Sequence, residues 1–319
     1  MPHVVNAEGA LLHQIIDGDY HNPGLDRQAR GRLEAARTKT AWGRVHRRRF
    51  ALVEGTTLLA SATRYRASGQ LDERPVSICA IGAVLTAPQH RGAGHACALV
   101  EHLLDDAAKD GADLALLFSP MGASWCEHHG FERLPITEVA IDVAQSPRHG
   151  APMTPIRAGE SRDLGAITAM GRTRAAALRF HLDRDIDVIQ HAIASKRLLA
   201  GCEPAGARQL HFFIAEEGIT AAAYLVISVI GNRWAIEECG DRDAGGARIG
   251  AMLQALIARE PAERRPSIRG WLWPGFLPPQ VTIMSTKPSA TITIRALRSA
   301  IVPRLSEDDV LYWHSDSFQ

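Results

Sequence analysis

Ten nearly unbroken apolar residues, Val76 to Leu85 (VSICAIGAVL), run straight into a glycine-bearing turn and then into an apolar pattern of helical spacing. Few folds accommodate all three in succession. The run reads as a strand covered on both faces, because a strand with one wet face would place polar residues at every second position. The turn is Thr86-Ala87-Pro88-Gln89-His90-Arg91-Gly92-Ala93-Gly94. From His95, apolar residues recur at Ala96, Leu99, Val100, Leu103 and Leu104, one face of a helix that ends near Gly111. Such a junction leaves the first backbone N–H groups of the helix unpaired, at the end where its dipole favours negative charge. It is therefore a phosphate cradle, in which a side chain at Gly92 or Gly94 would hold an anion off the main chain or forbid the backbone angles. No Lys-Ser or Lys-Thr follows Gly94, and the GxGxxG spacing is missing, so neither a nucleoside-triphosphate loop nor a dinucleotide fold is matched. A plain tight turn is the alternative reading of two glycines at this spacing.

Around this core the chain alternates helix and strand. Helices are predicted around Ala10 to Ile16 and Leu25 to Arg37, and a hairpin from Arg49–Glu54 and Thr57–Tyr65 closed at Gly55. Ser68 to Pro75 is polar and reads as a loop. A second buried strand (Asp113 to Phe118), a short helix (Met121 to His129) and a strand from Phe131 to Val143 follow. Residues 144 to 155 (AQSPRHGAPMTP) have the Pro-rich composition of a linker, which divides the chain into domains at 1–145 and 155–319. Beyond it come helices at Asp163–Leu178, Ile186–Leu199 and Ala247–Ala258 and strands at Gln209–Ala215, Ala221–Ile230, Trp234–Cys239 and Ser267–Trp273. The order repeats that of the first half, as a duplicated domain would.

Length and composition bound the rest. At about 150 residues per domain, 319 residues make two domains, and 46% hydrophobic content supplies two cores. Thirty-six Lys plus Arg against thirty-five Asp plus Glu leave no global field to steer the protein to nucleic acid or to an anionic membrane. The five cysteines have neither disulfide nor zinc spacing, so no metal is expected and a reducing, cytoplasmic setting fits. No secretory leader and no spanning apolar stretch are read.

The string TAPQHRGAGHACALVEHLL resembles the acetyl-CoA-binding motif of the GNAT superfamily of N-acetyltransferases, Gln/Arg-x-x-Gly-x-Gly/Ala between a buried strand and a helix. Gln89, Gly92 and Gly94 take the patterned positions. LLFSPMGASWCEHHGFERLP is similar to the later element of that family, a strand and short helix closed by a Gly-Phe pair, here Gly130-Phe131. Together they cover Val76 to Pro135. The resemblance implies an α/β (α+β) fold, a GNAT-type mixed central sheet flanked by helices, followed by a second, degenerate GNAT-like domain. It implies that Arg91, Gly92, Ala93, Gly94, His95 and Ala96 present amides to the diphosphate of acetyl-CoA. Val84, Leu85 and Thr86 would pair with the pantetheine arm, with a backbone N–H near Leu85 as oxyanion donor.

Acetyl transfer to an amine also calls for a proton source for the departing thiolate. Where many family members carry a tyrosine this chain has Cys126, which either acts as that acid or is a buried thiol. Ser119 either approaches the thioester or caps a helix. His95, His128 and His129 read as solvated. No carboxylate or histidine lies within Val76 to Leu85, and Glu54 and Glu73 read as surface residues. In the second half, DRDAGGARIG (Asp241 to Gly250) is a degenerate counterpart of the motif, while Trp271, Trp273, Pro274 and Phe276 read as core or rim rather than as a ligand cage. Leu311, Tyr312, Trp313 and Phe318 should dock rather than fray. Glu237, Glu238, Asp308, Asp309 and Asp316 either attract a cationic acceptor or are solvated charges. The resulting expectation is transfer of acetyl to a small-molecule primary amine, with the second domain shaping the acceptor pocket and self-association left open. The rival is a catalytically silent acyl-CoA sensor.

Overall fold

The run from Val76 and the helix after it form as predicted in the computed structural model, which describes residues 1–18, 24–118, 128–145, 155–289, 292–298 and 304–316. In chain order the elements are β1 (His3–Asn6), α1 (Gly9–Asp17), α2 (Arg27–Lys39), α3 (Ala41–His46), β2 (Arg47–Glu54), β3 (Thr57–Leu71), β4 (Arg74–Thr86), α4 (His95–Lys109), β5 (Leu114–Phe118) and β6 (Glu132–Arg133). There follow β7 (Thr137–Val143), β8 (Ile156–Ala158), α5 (Leu164–Ala175), β9 (Phe180–Leu182), α6 (Ile186–Cys202), β10 (Gln209–Glu217), β11 (Thr220–Ile230), β12 (Arg233–Asp241), α7 (Ala247–Ile257), β13 (Ser267–Gly270), β14 (Val281–Pro288), β15 (Ile292–Ala296) and β16 (Val310–Leu311). Two contact units result. One comprises Met1–Leu134 with Ala290–Leu305, the other Pro135–Ser289 with Ser306–Asp316.

In the first unit the sheet runs β1-β2-β3-β4-β5-β15-β6. The parallel pair of β4 with β5 needs a crossover, and α4 supplies it. Leu99, Val100, Leu103, Leu104 and Ala107 of α4 are buried against Ile81, Ala115, Leu117 and Phe131. The spacing of these residues is the reason α4 is a helix. Burying each such side chain contributes about 1.5–3 kcal/mol. In the second unit the sheet runs β14-β7-β13-β12-β11-β10-β8, again with one parallel pair, β12 with β13, bridged by α7. The strand beside β5 is β15, which arrives from the far end of the sequence, whereas the strand beside β13 is β7, which precedes every other strand of its sheet.

That arrangement revises two expectations. The strand read as Phe131 to Val143 breaks at Leu134-Pro135-Ile136, because proline has no N–H to give a ladder. Its larger piece, Thr137–Val143, pairs with β13 and β14 in the second sheet. In sequence the two contact units divide between Leu134 and Pro135. The polar stretch Ser68 to Pro75 is a hairpin rather than a loop: β3 and β4 pair down to Leu71↔Arg74. Asp72 and Glu73 close it with φ of 50° and 63°, the left-handed pair that a two-residue turn demands. Of the tail residues expected to dock, Leu311, Tyr312 and Trp313 are buried, and Phe318 lies outside the described residues. Among the described residues no helix is long and apolar enough to cross a membrane.

Candidate functional site

The parallel strands of the first unit part company partway along. Cα partners run Ile78↔Leu114, Cys79↔Ala115, Ala80↔Leu116 and Ile81↔Leu117, and among the described residues no further pair follows. Strand β4 nevertheless continues to Thr86, held on its other side by β3 through Ser61↔Leu85 and Ala60↔Thr86. A bulge between Thr63↔Gly82 and Ser61↔Leu85, with Ala83 at φ 49°, turns this end of β4. A positive φ at a non-glycine costs about 1–3 kcal/mol and collects at working sites. Among the described residues, Val84, Leu85 and Thr86 have no strand partner on the side of β4 that faces β5.

The strand delivers the chain to the cradle. A short turn, Pro88–His90, is followed by exposed Arg91, Gly92, Ala93 and Gly94, and α4 starts at His95. Gly92 and Gly94 have φ of 80° and 79°, which only glycine adopts without strain. A Cβ at either would meet no atom within 4 Å, so the requirement for glycine comes from backbone angle and not from core packing. No side chain caps α4, and no acidic residue lies in its first turn. The first intrahelical bond is donated by Ala98 to the Gly94 carbonyl at 3.0 Å, which leaves the His95, Ala96 and Cys97 amides without helical acceptors. Arg91 folds back so that its Nε reaches the Thr86 carbonyl at 3.4 Å. Gln89 is the middle residue of the short turn.

Leu85 and Gln89 also line a cleft of about 400 Å³ on this unit, together with Gln14, Gly18, Thr57 and Ser61. None of its described lining residues is charged. Behind it Arg49 is buried, donating from Nη1 to Thr63 Oγ1 at 2.8 Å and from Nη2 to Ser61 Oγ at 3.4 Å. Ser119 and Cys126 lie outside the described residues. His129, expected to be solvated, is half-buried with Nε2 at 3.1 Å from Cys97 Sγ. Its Nδ1 stands 3.6 Å from Glu101 Oε1, and Arg295 Nη1 donates to both Glu101 oxygens at 2.8 and 3.0 Å. The sequence reading passed over Cys97 and Glu101, whose i,i+4 spacing on one helix was the available signal.

The second unit has a corresponding junction, and its own atoms fill it. Gly246, at φ 69°, begins α7 as Gly94 begins α4. Here the Asp241 carboxylate accepts from the Arg248 amide at 3.0 Å and from the Asp243 amide at 2.9 Å, and pairs with Arg248 Nη1 at 3.0 Å. Phe276 and Pro278 crowd the position of a Gly246 Cβ, and Gln280 that of a Gly250 Cβ. Strand β12 also outruns β13 after Ile236↔Gly270, but residues 237–241 are buried. Glu238 accepts from Arg184 Nη1 and Nη2, the Tyr224 hydroxyl and Ser315 Oγ, each at 2.8 Å, while Asp316 pairs with Arg184 Nε at 2.9 Å. Burial works against the Glu238 charge, yet Arg184 and the hydrogen bonds hold its pKa below the usual carboxylate range. Burial pushes Asp316 up to about 6, with Glu238 adding to the rise and Arg184 opposing it.

These acids were expected either to draw a cationic acceptor or to be solvated, and Glu237, Glu238 and Asp316 do neither. Glu237 accepts from Ser228 Oγ at 2.6 Å and pairs with Lys196 at 3.0 Å. Asp309 accepts from the Ser306 amide and pairs with Arg179 at 3.4 Å, leaving Asp308 exposed. Trp271, Trp273 and Phe276 are buried with Trp313 in an aromatic cluster, and Arg174 lies 4.2 Å from the Trp273 ring centroid.

Comparison with known proteins places this geometry in context. Residues 26–133 match the family model described as an acetyltransferase (GNAT) domain. A GCN5-related N-acetyltransferase from Anabaena variabilis superposes with a TM-score of 0.67 at 12% identity, over 93% of this chain and 73% of that one. One from Kribbella flavida gives 0.64 at 15% identity, over 93% and 71%. Saccharomyces cerevisiae N-myristoyltransferase, solved with bound myristoyl-CoA, gives 0.56 at 8% identity, over 92% and 82%. At such identities the likeness is one of fold, and it spans both units. No curated protein matches the sequence.

Proposed function

Because residues 26–133 form an acetyltransferase domain of the GNAT family, we propose that this chain transfers acetyl from acetyl-CoA to a primary amine of a small molecule. The observation that carries the reading is the parting of β4 from β5 beside an uncapped helix start. Amides of Arg91 to Ala96 receive the diphosphate, and the free edge at Val84, Leu85 and Thr86 takes the pantetheine arm. The coenzyme supplies an activated acyl group, and the yeast structure with myristoyl-CoA supports a CoA ester in this fold.

The chain's part is then positional and electrostatic. A backbone N–H near Leu85 stabilises charge growing on the acyl oxygen; one such donor is worth about 10²–10³ in rate. The acceptor enters the cleft beside Leu85 and Gln89. The cleft's described lining offers an ammonium no carboxylate, which favours the free amine that attacks. Cys126 is proposed as the acid for the departing thiolate and Ser119 as a neighbour of the thioester. Cys126→Ala is expected to lower kcat about tenfold or more with little change in coenzyme affinity. An unchanged kcat removes Cys126 from the mechanism.

Incubating the protein with acetyl-CoA and a panel of amines while following released thiol tests the reaction itself. Amine-dependent thiol release supports the proposal; tight binding with no release on any amine favours a sensor instead. Calorimetry supplies a further check. One equivalent of acetyl-CoA per chain is expected, because Asp241, Phe276 and Gln280 fill the second junction. Two equivalents would contradict that account.

A further inference from the structure

Cys97, His129, Glu101 and Arg295 form a chain of contacts that acetyl transfer does not use. The sulfur lies 3.1 Å from His129 Nε2 and 3.5 Å from Nδ1, Nδ1 also stands 3.6 Å from Glu101, and Glu101 is held by two hydrogen bonds from Arg295. A thiol, a base and a carboxylate that steadies the charged base make a nucleophile-activating arrangement. Cys97 is half-buried and His129 is 25% exposed, so a small solute reaches both. Cys79 and Cys239 are buried, which raises both thiols, Cys79 to about 12. Burial and Glu101 raise the Cys97 thiol as well, so its resting form is protonated and its reactivity depends on the imidazole beside it.

Position gives that reactivity a consequence. Cys97 is the third residue of α4, and its amide is one of the three at the helix start without a helical acceptor. We propose that Cys97 is a hydroperoxide-sensitive thiol whose oxidation to a sulfenic acid closes the anion cradle. With hydrogen peroxide as oxidant, His129 takes the thiol proton while the sulfur attacks one peroxide oxygen. The O–O bond breaks, an S–O bond forms, and the expelled hydroxide recovers the proton from His129 and leaves as water. Sulfur gives up two electrons and the peroxide accepts them. The product adds an oxygen, and on ionisation a negative charge, beside the seat of a diphosphate, and a thiol reductant restores it.

The closing of the cradle rests on the anion seat proposed above; the oxidation does not. Both are read on the full chain treated with limiting hydrogen peroxide. Sulfenic acid is trapped with dimedone and located by peptide mass spectrometry, and acetyl-CoA affinity is measured before treatment, after it and after reduction. Cys97 is expected to label at least about tenfold faster than Cys202, and His129→Asn to slow the labelling by about tenfold with the circular dichroism spectrum unchanged. Acetyl-CoA affinity should fall about tenfold on oxidation, recover with dithiothreitol, and in Cys97→Ser no longer respond to peroxide. Labelling of Cys97 no faster than of Cys202, or a rate indifferent to His129→Asn, overturns the activated thiol. Labelling without change in affinity overturns the closure, and a reduced protein that does not bind acetyl-CoA sinks the cradle while leaving the labelling result to be judged alone.

Discussion

Gly94→Val is expected to weaken acetyl-CoA binding by about 100-fold, the cost of losing one or two charge-assisted amide contacts at 1.5–3 kcal/mol each. Gly94 sits at φ 79°, where a β-branched residue is strained, so the backbone around it must rotate and the His95 and Ala96 amides turn with it. Nothing stands within 4 Å of the new Cβ, so the substitution does not overpack the core. Calorimetry with acetyl-CoA should register the loss, while the melting temperature falls by only a few degrees for about 1–3 kcal/mol of strain. Equal affinity in the variant would mean that the amides do not hold the diphosphate.

Arg184→Met is expected to destabilise the second unit by about 3–5 kcal/mol, because it leaves Glu238 and Asp316 buried without their cation. Urea denaturation at pH 8 measures this, and Arg184→Met combined with Glu238→Gln and Asp316→Asn should recover most of it. The same cluster sets a pH dependence. Asp316 titrates at about 6 in the folded chain against 3.8 for a free carboxyl, so the folded state binds the extra proton. Its contribution to stability is complete below about pH 4 and is lost as pH rises through about 6, a change of roughly 2–3 kcal/mol. Asp316→Asn should therefore gain stability over the natural chain at pH 8 and lose that advantage near pH 4. A difference between the two that stays constant from pH 4 to 8 would show that Asp316 does not titrate there.

The cradle was legible in the sequence because everything that builds it is local. An apolar run, two glycines and a helical stripe lie within Val76 to Leu104, and no distant residue is needed to see them. The exchange of strands was not legible. TEVAIDV alternates as a strand should, but alternation says nothing about whether Thr137–Val143 pairs with β5 or with β13, and Pro135 was the one local hint of a break. Glu237 and Glu238 read as ambiguous surface charge because two adjacent acids in a strand normally place at least one in water. Both are buried because β12 is a central strand and residues remote in sequence, Arg184, Lys196, Ser228 and Ser315, neutralise or hydrogen-bond them. Likewise His129 looked solvated at a helix end until the fold set it against Cys97, 32 residues earlier.

The central claim is that main-chain amides at the start of α4 hold a diphosphate while the uncovered edge of β4 takes the arm attached to it. A crystal structure of the protein soaked with acetyl-CoA tests this most directly. The expected result is diphosphate oxygens within about 3 Å of the amides between Arg91 and Ala96, with the pantetheine running along Val84 to Thr86. Coenzyme bound elsewhere on the chain, or a turn whose amides face away from it, would contradict the account.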